Sequence, residues 1–460
     1  MRQAMPRVVS AALTPAALLC LASPAAAEGF ATARFGGEHG TPVSANPTAI
    51  YYNPAAIAPA TGIHLLADAT IVLRRDTYRH APHPTDTPEP AGAEGANTDE
   101  ATLVNLAAVP TLAATARLGD FAVGAGFFVP FGGGTHWSPN ERFASQRAYP
   151  GLVDGSQRWH SMDGTLQLFY GSVAAAYTLG RTGLSVGVVG NLVRSEITSI
   201  QARTAVGDNS IEDEGRSLLD VGAWAGAFGV GILWRTPDDR LWLGAAYQSR
   251  PNVAGGHTLA GRLKNDFGSV DEVDVELHQD VPDVVRLGVR FRPRRDIELR
   301  LFGDWTRWSA FSDQCVALAG EPCEVDADGR AVSRPPPLQT IRRGWRDAFG
   351  LRAGGSLWVS PRWELFSGVG WDGNAIPDET LEPSLLDFDD LGTALGARVE
   401  AVSGKLFLEL SYTNFFNVPR DTAGKSRTAA PSESFARAPD SGGHYTEWAG
   451  MLNVVAEAVF

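Results

Sequence analysis

The sequence predicts an all-β protein, a transmembrane antiparallel β-barrel of fourteen strands. Three observations predict it. Apolar and polar residues alternate with a period of two along fourteen segments, as in strands whose two faces meet different solvents. The links between these segments alternate between tight and long. Nothing after Ala27 forms the uninterrupted apolar run of about 18 residues that a membrane helix needs, so a membranous chain of this kind must cross as a closed barrel.

The leading residues carry an export address. Arg2 and Arg7 precede an apolar stretch from Val8 to Ala22, and Ala25-Ala26-Ala27 offers a small-residue cleavage site. Residues 1–27 are therefore read as a signal peptide, with Glu28 starting the processed chain. Cys20 follows the bulky Leu19, where lipid attachment wants a small residue, which argues against a lipoprotein. An irregular stretch then runs to about Pro59, and the barrel unit is assigned to 61–460.

Alternation and breakers place the strands near 62–76, 103–118, 121–131, 164–179, 183–200, 217–235, 240–251, 273–292, 296–308, 343–359, 362–373, 387–401, 404–417 and 444–460. Polarity sorts by face most cleanly late in the chain. Arg286, Arg290 and Arg292 oppose Val285, Leu287, Val289 and Phe291; Glu298, Arg300 and Asp304 oppose Ile297, Leu299 and Leu301. Lys405 and Glu409 oppose Leu406, Leu408, Leu410 and Tyr412, and in the last segment Asn453 and Glu457 oppose Trp448, Leu452, Val454 and Phe460. Charge confined to one face means a polar bore and a hydrocarbon-facing exterior.

A soluble sandwich would also alternate, so the links must discriminate. Gly119-Asp120, Gly180 to Gly183, Thr236 to Asp239, Pro293 to Arg295, Ser360-Pro361 and Val402-Ser403 are tight, whereas 77–102, 132–163, 201–216, 252–272, 309–342, 374–386 and 418–443 are long. Tight turns on the periplasmic side and long loops outside are a barrel's signature, with both termini periplasmic. Trp234 with Trp242, Trp358 with Trp363, and Trp305, Trp308, Trp345 and Trp371 fall at strand ends, predicting aromatic belts at the two membrane interfaces.

The formal net charge is −13, and loss of residues 1–27 removes two arginines and no acid, leaving −15. So acidic a chain excludes nucleic acid as a partner. Cys315 and Cys323 remain after processing and are expected to form a small loop disulfide rather than a metal or catalytic site. No metal or cofactor is expected: His80 and His83 alone approach ligand spacing, in a loop. Gly183-Leu184-Ser185-Val186-Gly187 fits an esterase pattern but lies inside a strand rather than at a strand-to-helix elbow. Ala423-Gly424-Lys425-Ser426 has Pro419 where a phosphate loop needs its first glycine. No enzyme is expected.

Gly29-Phe30, Phe35-Gly36-Gly37 and Asn46-Pro47-Thr48-Ala49-Ile50-Tyr51-Tyr52-Asn53-Pro54-Ala55 resemble the start of the FadL/TodX family of outer-membrane hydrophobic-compound transporters. Val281-Pro282, Trp305-Thr306-Arg307-Trp308-Ser309-Ala310-Phe311, Gly344-Trp345-Arg346-Asp347-Ala348 and Phe460 carry the likeness across the mature chain. The resemblance implies a hatch, residues 28–60, plugging the barrel. It also implies passive uptake of long-chain fatty acids or other hydrophobic compounds by a monomer seated in outer-membrane lipid. Loops catch the cargo, the hatch moves, and release is sideways beside an irregular third strand. An aromatic hydrocarbon or alkane is the alternative cargo; a lipid hydrolase using Ser185, or a surface receptor, is the rival of another class.

The hatch and gate residues so implied are Gly29, Phe30, Asn53, Pro54 and Ala55, with Phe30 the candidate ligand contact. The third strand runs through Phe127, Phe128, Val129, Pro130, Phe131, Gly132 and Gly133. Proline removes a ladder donor and glycine packs poorly, so the wall should break there, and these seven residues are the expected substrate path. Arg203, Arg286, Arg290 and Arg352 are candidate partners for a cargo carboxylate, set against the plainer reading that each pairs with a lumenal acid.

Overall fold

A computed structural model describes residues 34–253, 255–266, 270–326, 329–427 and 439–460; the expected signal peptide, Gly29 and Phe30 lie outside them. Among the described residues nineteen strands occur in chain order: β1 (Ile63–His80), β2 (Glu100–Leu118), β3 (Phe121–His136), β4 (Asp163–Thr178), β5 (Leu184–Arg203), β6 (Gly215–Arg235), β7 (Leu241–Gln248), β8 (Thr258–Asp266), β9 (Val270–His278), β10 (Val284–Arg294), β11 (Ile297–Thr306), β12 (Asp313–Leu318), β13 (Gln339–Arg342), β14 (Ala348–Ser360), β15 (Trp363–Asp372), β16 (Asp390–Val402), β17 (Leu406–Asn417), β18 (Arg420–Asp421) and β19 (Gly443–Val459). Fourteen of them make the wall. Each pairs antiparallel with its neighbour through β1 to β7, β10, β11, β14 to β17 and β19, and β19 closes on β1 from His64↔Val459 to His80↔Gly443. Closure leaves no edge strand.

The period-two pattern sets which side faces out. On β10 Leu287 is 60% exposed while its neighbour Arg286 is 6% exposed, and on β17 Leu410 projects outward while Glu409 is buried. The exterior is a continuous field of Leu, Val, Phe and Ile, a surface suited to hydrocarbon rather than water. No helix among the described residues is long and apolar enough to cross a membrane.

Three expectations need correction. The segment 273–292 is two strands: Pro282 has no N–H to give a ladder and biases Val281 to an extended turn, so the chain leaves β9 at His278 and enters the wall only at Val284. The link 252–272 is accordingly no bare loop. It supplies β8 and the start of β9, a hairpin that adds to β6 and, through β12 and β13, raises the wall at the long-loop end. Third, Trp242, Trp308 and Trp345 turn into the protein instead of lining an interface, whereas Trp234, Trp363 and Trp371 stay exposed. Arg290 lies 3.9 Å from the Trp242 ring centre, and Trp308 and Trp345 rings sit 5.0 Å apart.

Candidate functional site: a lumenal segment, two cavities and a break in the wall

Residues 34–60 lie against the inward faces of the wall. Gly36 and Gly37 both adopt positive φ, 73° and 53°, which glycine alone takes without strain. That turn lets the Gly36 N–H donate to Asp68 Oδ2 on β1 at 2.7 Å and brings Gly37 against Ser411 of β17. Asn453 Nδ2 on β19 donates to the Arg34 carbonyl at 3.0 Å. A short helix, α1 (Ala49–Tyr52), then presents Tyr51 and Tyr52 to the bore.

Asn53 is fully buried and uses its whole side chain. Its Oδ1 accepts from Ala55 N at 3.1 Å, and its Nδ2 donates to the carbonyls of Pro42 at 2.8 Å and Ile232 of β6 at 2.9 Å. Pro54 starts the 3-10 turn Pro54–Ile57, where its missing N–H costs nothing. The wall makes room opposite with glycine: a Cβ on Gly187, Gly231 or Gly244 would strike Ala55, Asn53 and Pro42 respectively. Gly187 of the esterase-like pentapeptide is thus a docking position. Ser185 meets the Thr178 hydroxyl, at 3.2 Å.

The β2–β3 ladder runs from Leu118↔Phe121 to Leu112↔Phe127 and stops. The next bridge is Leu103↔Trp137, so residues 104–111 of β2 and 128–136 of β3 do not pair with each other. On its other side β3 loses register with β4 between Phe128 and Phe131. Alternating exposure also ends there: Phe128, Val129, Pro130, Phe131 and Gly132 are all buried, which a strand in the wall plane would not allow. The segment bends into the bore. The Phe128 ring lies 5.3 Å from Phe35 and 5.8 Å from Tyr51, Phe131 reaches Trp308 at 6.0 Å, and the Gly134 carbonyl accepts from Arg74 and Asn105 on β1 and β2. Phe127, one step before the bend, stacks on Phe169 of β4.

The inbent segment separates two cavities. The outer one lies at the long-loop end and touches Gly133 and Gly134; it is apolar along Leu263, Leu277, Val316 and Leu385 and polar along Ser199, Gln201 and Arg203. The inner one meets Pro130 and Phe131 together with Tyr51, Tyr52, Phe302 and Arg286. A third chamber lies at the tight-turn end and is walled by charge, including Arg290, Glu298, Glu364, Arg398, Glu409 and Glu457.

The four candidate arginines separate accordingly. Arg290 pairs with Glu298 at 3.0 Å, and Arg352 pairs with Asp304 at 2.6 Å and Asp372 at 2.7 Å. Arg286 lies over the Tyr51 ring at 4.4 Å and donates to the Tyr51 carbonyl. Arg203 donates to Gln339 Oε1 at 3.2 Å, and among the described residues no carboxylate stands within ion-pair distance of it. Cys315 and Cys323 are bonded, tying β12 beside the outer cavity. Among the described residues no cluster of side chains suits a metal ion.

Sequence reasoning missed His39, Glu364 and Glu409, and it missed the glycines facing Asn53. The alternating pattern already set Glu409 on the polar face, but only the fold shows His39 between it and Glu364: its Nε2 is 2.9 Å from Glu364 Oε1 and its Nδ1 2.8 Å from Glu409 Oε2.

A closed barrel with an apolar exterior, a lumenal segment of its own chain and an interrupted wall defines a plugged membrane channel. Residues 8–434 match the model of the family described as outer membrane protein transport protein (OMPP1/FadL/TodX), and the chain belongs to that family of outer-membrane transporters for hydrophobic compounds. The sequence has no match among curated proteins. Its fold is similar to a Pseudomonas aeruginosa FadL homologue, at 18% identity and a TM-score of 0.73, covering 96% of this chain and 99% of that one. It is also similar to the Ralstonia pickettii toluene transporter TbuX, at 15% identity and 0.61 over 90% and 94% of the two chains. The Pseudomonas putida toluene transporter TodX gives 15% and 0.60 over 95% of each.

Proposed function

We propose that this chain, freed of residues 1–27, is a monomeric channel admitting long-chain fatty acids or other hydrophobic compounds without energy input. Cargo enters the outer cavity from the long loops, passes the inbent segment 128–135 to the inner cavity, displaces part of the hatch formed by residues 28–60, and leaves sideways between β2 and β3. The observation carrying this reading is the unpaired stretch between Leu112↔Phe127 and Leu103↔Trp137. An alkyl chain loses about 0.8 kcal/mol for each methylene returned to water. Straight passage would drag it through the charged third chamber, whereas the lateral route ends in hydrocarbon.

A strand rebuilt to stay in the wall tests this. Replacing Pro130, Gly132 and Gly133 together with valine restores ladder donors and strand-forming side chains. Uptake of labelled dodecanoate and of toluene by cells relying on this channel should fall at least tenfold, while the heat-modifiable folded band on gels persists. Unchanged uptake of both sinks the lateral route.

Arg203 supports an acid over a neutral hydrocarbon, because a guanidinium with no carboxylate beside it favours an anionic head. The solved relatives named as toluene transporters support the alternative cargo. Purified protein should bind dodecanoate roughly tenfold more tightly than dodecanol, about 1.4 kcal/mol, and Arg203→Gln should erase the difference. Equal affinities in the native protein would assign the channel to neutral compounds.

A further inference from the structure

The chamber at the tight-turn end holds two ionic groups that belong to the wall alone. Glu298 of β11 gathers Arg290, Arg292 and Arg300 from β10 and β11, and Glu457 of β19 gathers Arg398 of β16 and His64 of β1. Glu364 of β15 and Glu409 of β17 are different. Both side chains are buried, and among the described residues the cation in ion-pair contact with each comes from the lumenal segment: His39, at 2.9 and 2.8 Å. The two carboxylates approach opposite nitrogens of one ring. A neutral imidazole has one N–H and one lone pair, so it can satisfy one carboxylate and must repel the other; the imidazolium has two N–H groups and satisfies both.

The surroundings hold the ring in that place. Phe366 of β15 packs edge-on at 4.7 Å, and Asn46 Nδ2 donates to the His39 carbonyl at 3.2 Å. Other charged groups near this turn are Arg300 on β11, Glu457 on β19, Asp68 on β1, which accepts from Gly36, Glu38 on the turn itself and Arg34 just before it. Burial lowers the affinity of His39 for a proton, while Glu409 and Glu364 raise it further, so its pKa stands at about 9.

Resting on the reading of residues 28–60 as a hatch, the structure assigns to His39 the role of a positioning residue: as an imidazolium shared by Glu364 and Glu409 it locks the Gly36–Asn46 turn to β15 and β17, and loss of its proton unlocks that turn while the barrel stays closed. At neutral pH the lock is shut. Cargo entering the inner cavity therefore moves the Tyr51–Tyr52 side of the hatch, and this turn remains the fixed end.

Ion conductance of the purified full chain in planar bilayers tests the lock without any cargo, so its outcome is separate from that of the uptake experiments. The native protein should conduct poorly at pH 7 and at least tenfold better at pH 10.5. His39→Gln should already conduct at the higher level at pH 7 and vary little with pH, and His39→Lys, which restores a cation, should be closed again at pH 7. Glu364→Gln combined with Glu409→Gln removes the demand for a proton and should abolish the pH dependence even if His39→Gln folds poorly. His64→Gln, which alters only the neighbouring wall group, should keep the native profile. A native conductance flat from pH 7 to 10.5, or a pH dependence that survives loss of both glutamates, overturns the assignment.

Discussion

Two kinds of contact hold different stretches of the lumenal segment. Around Arg34 to Asn46, and again at Asn53, the contacts are directional: Gly36 to Asp68, Arg34 to Asp372 and Asn453, His39 to two glutamates, Asn53 to Ile232. Where α1 meets the inbent β3, the contacts are ring on ring, Phe35 and Tyr51 against Phe128. Hydrogen bonds and ion pairs in a partly dry bore specify one seat and are costly to leave unmade. Aromatic packing is less particular, and an alkyl chain or another ring can replace it. On the route proposed above, the stretch that cargo displaces is the one held by ring contacts beside the wall break.

The largest test is the pH dependence of the polar end. The folded pKa of His39, about 9, lies above its ordinary value of 6.5, so its contribution is complete below about pH 6.5 and is lost as pH rises through 9. The contribution is on the order of 3 kcal/mol at low pH. Thermal melts of native protein and His39→Gln should differ most at pH 6 and converge by pH 10; a gap that widens with pH would contradict the assignment.

Next in size, Asn53→Ala strands the carbonyls of Pro42 and Ile232 and frees Ala55 N, at a cost of about 2 kcal/mol. Hydrogen exchange at residues 49–58 should rise by roughly thirtyfold, while the β19–β1 ladder keeps its protection. The smallest expected effect is at the apolar contact. Phe128→Leu keeps most of the volume and should cost about 1 kcal/mol. It should speed exchange at Tyr51 and Tyr52 yet leave residues 36–46 unchanged. If Phe128→Leu loosened both ends equally, the distinction between a fixed and a yielding end would fail.

Local signals carry far in this molecule and then stop at identifiable residues. The link pattern and the sidedness of Arg286, Glu298 and Glu409 were legible because each depends on immediate neighbours and on which solvent a strand face meets. Trp242, Trp308 and Trp345 were not, because an indole at a strand end suits either an interface or a buried ring cluster, and only its cross-chain neighbours decide. Val270–His278 was misjudged for the same reason: an alternating strand reads alike in the wall and in a loop hairpin.

From the chain alone follow the barrel class, its fourteen wall strands and the alternation of tight and long links. These are consequences of a backbone that must pair every polar group and of side chains that alternate between two media. Tertiary structure decided the rest: that β3 turns into the bore from Phe128, that Arg290 and Arg352 are paired with acids while among the described residues Arg203 meets no carboxylate, and that His39 stands between two glutamates. Each of these is set by groups many strands apart, brought together only when the wall closes, and no local pattern encodes that meeting.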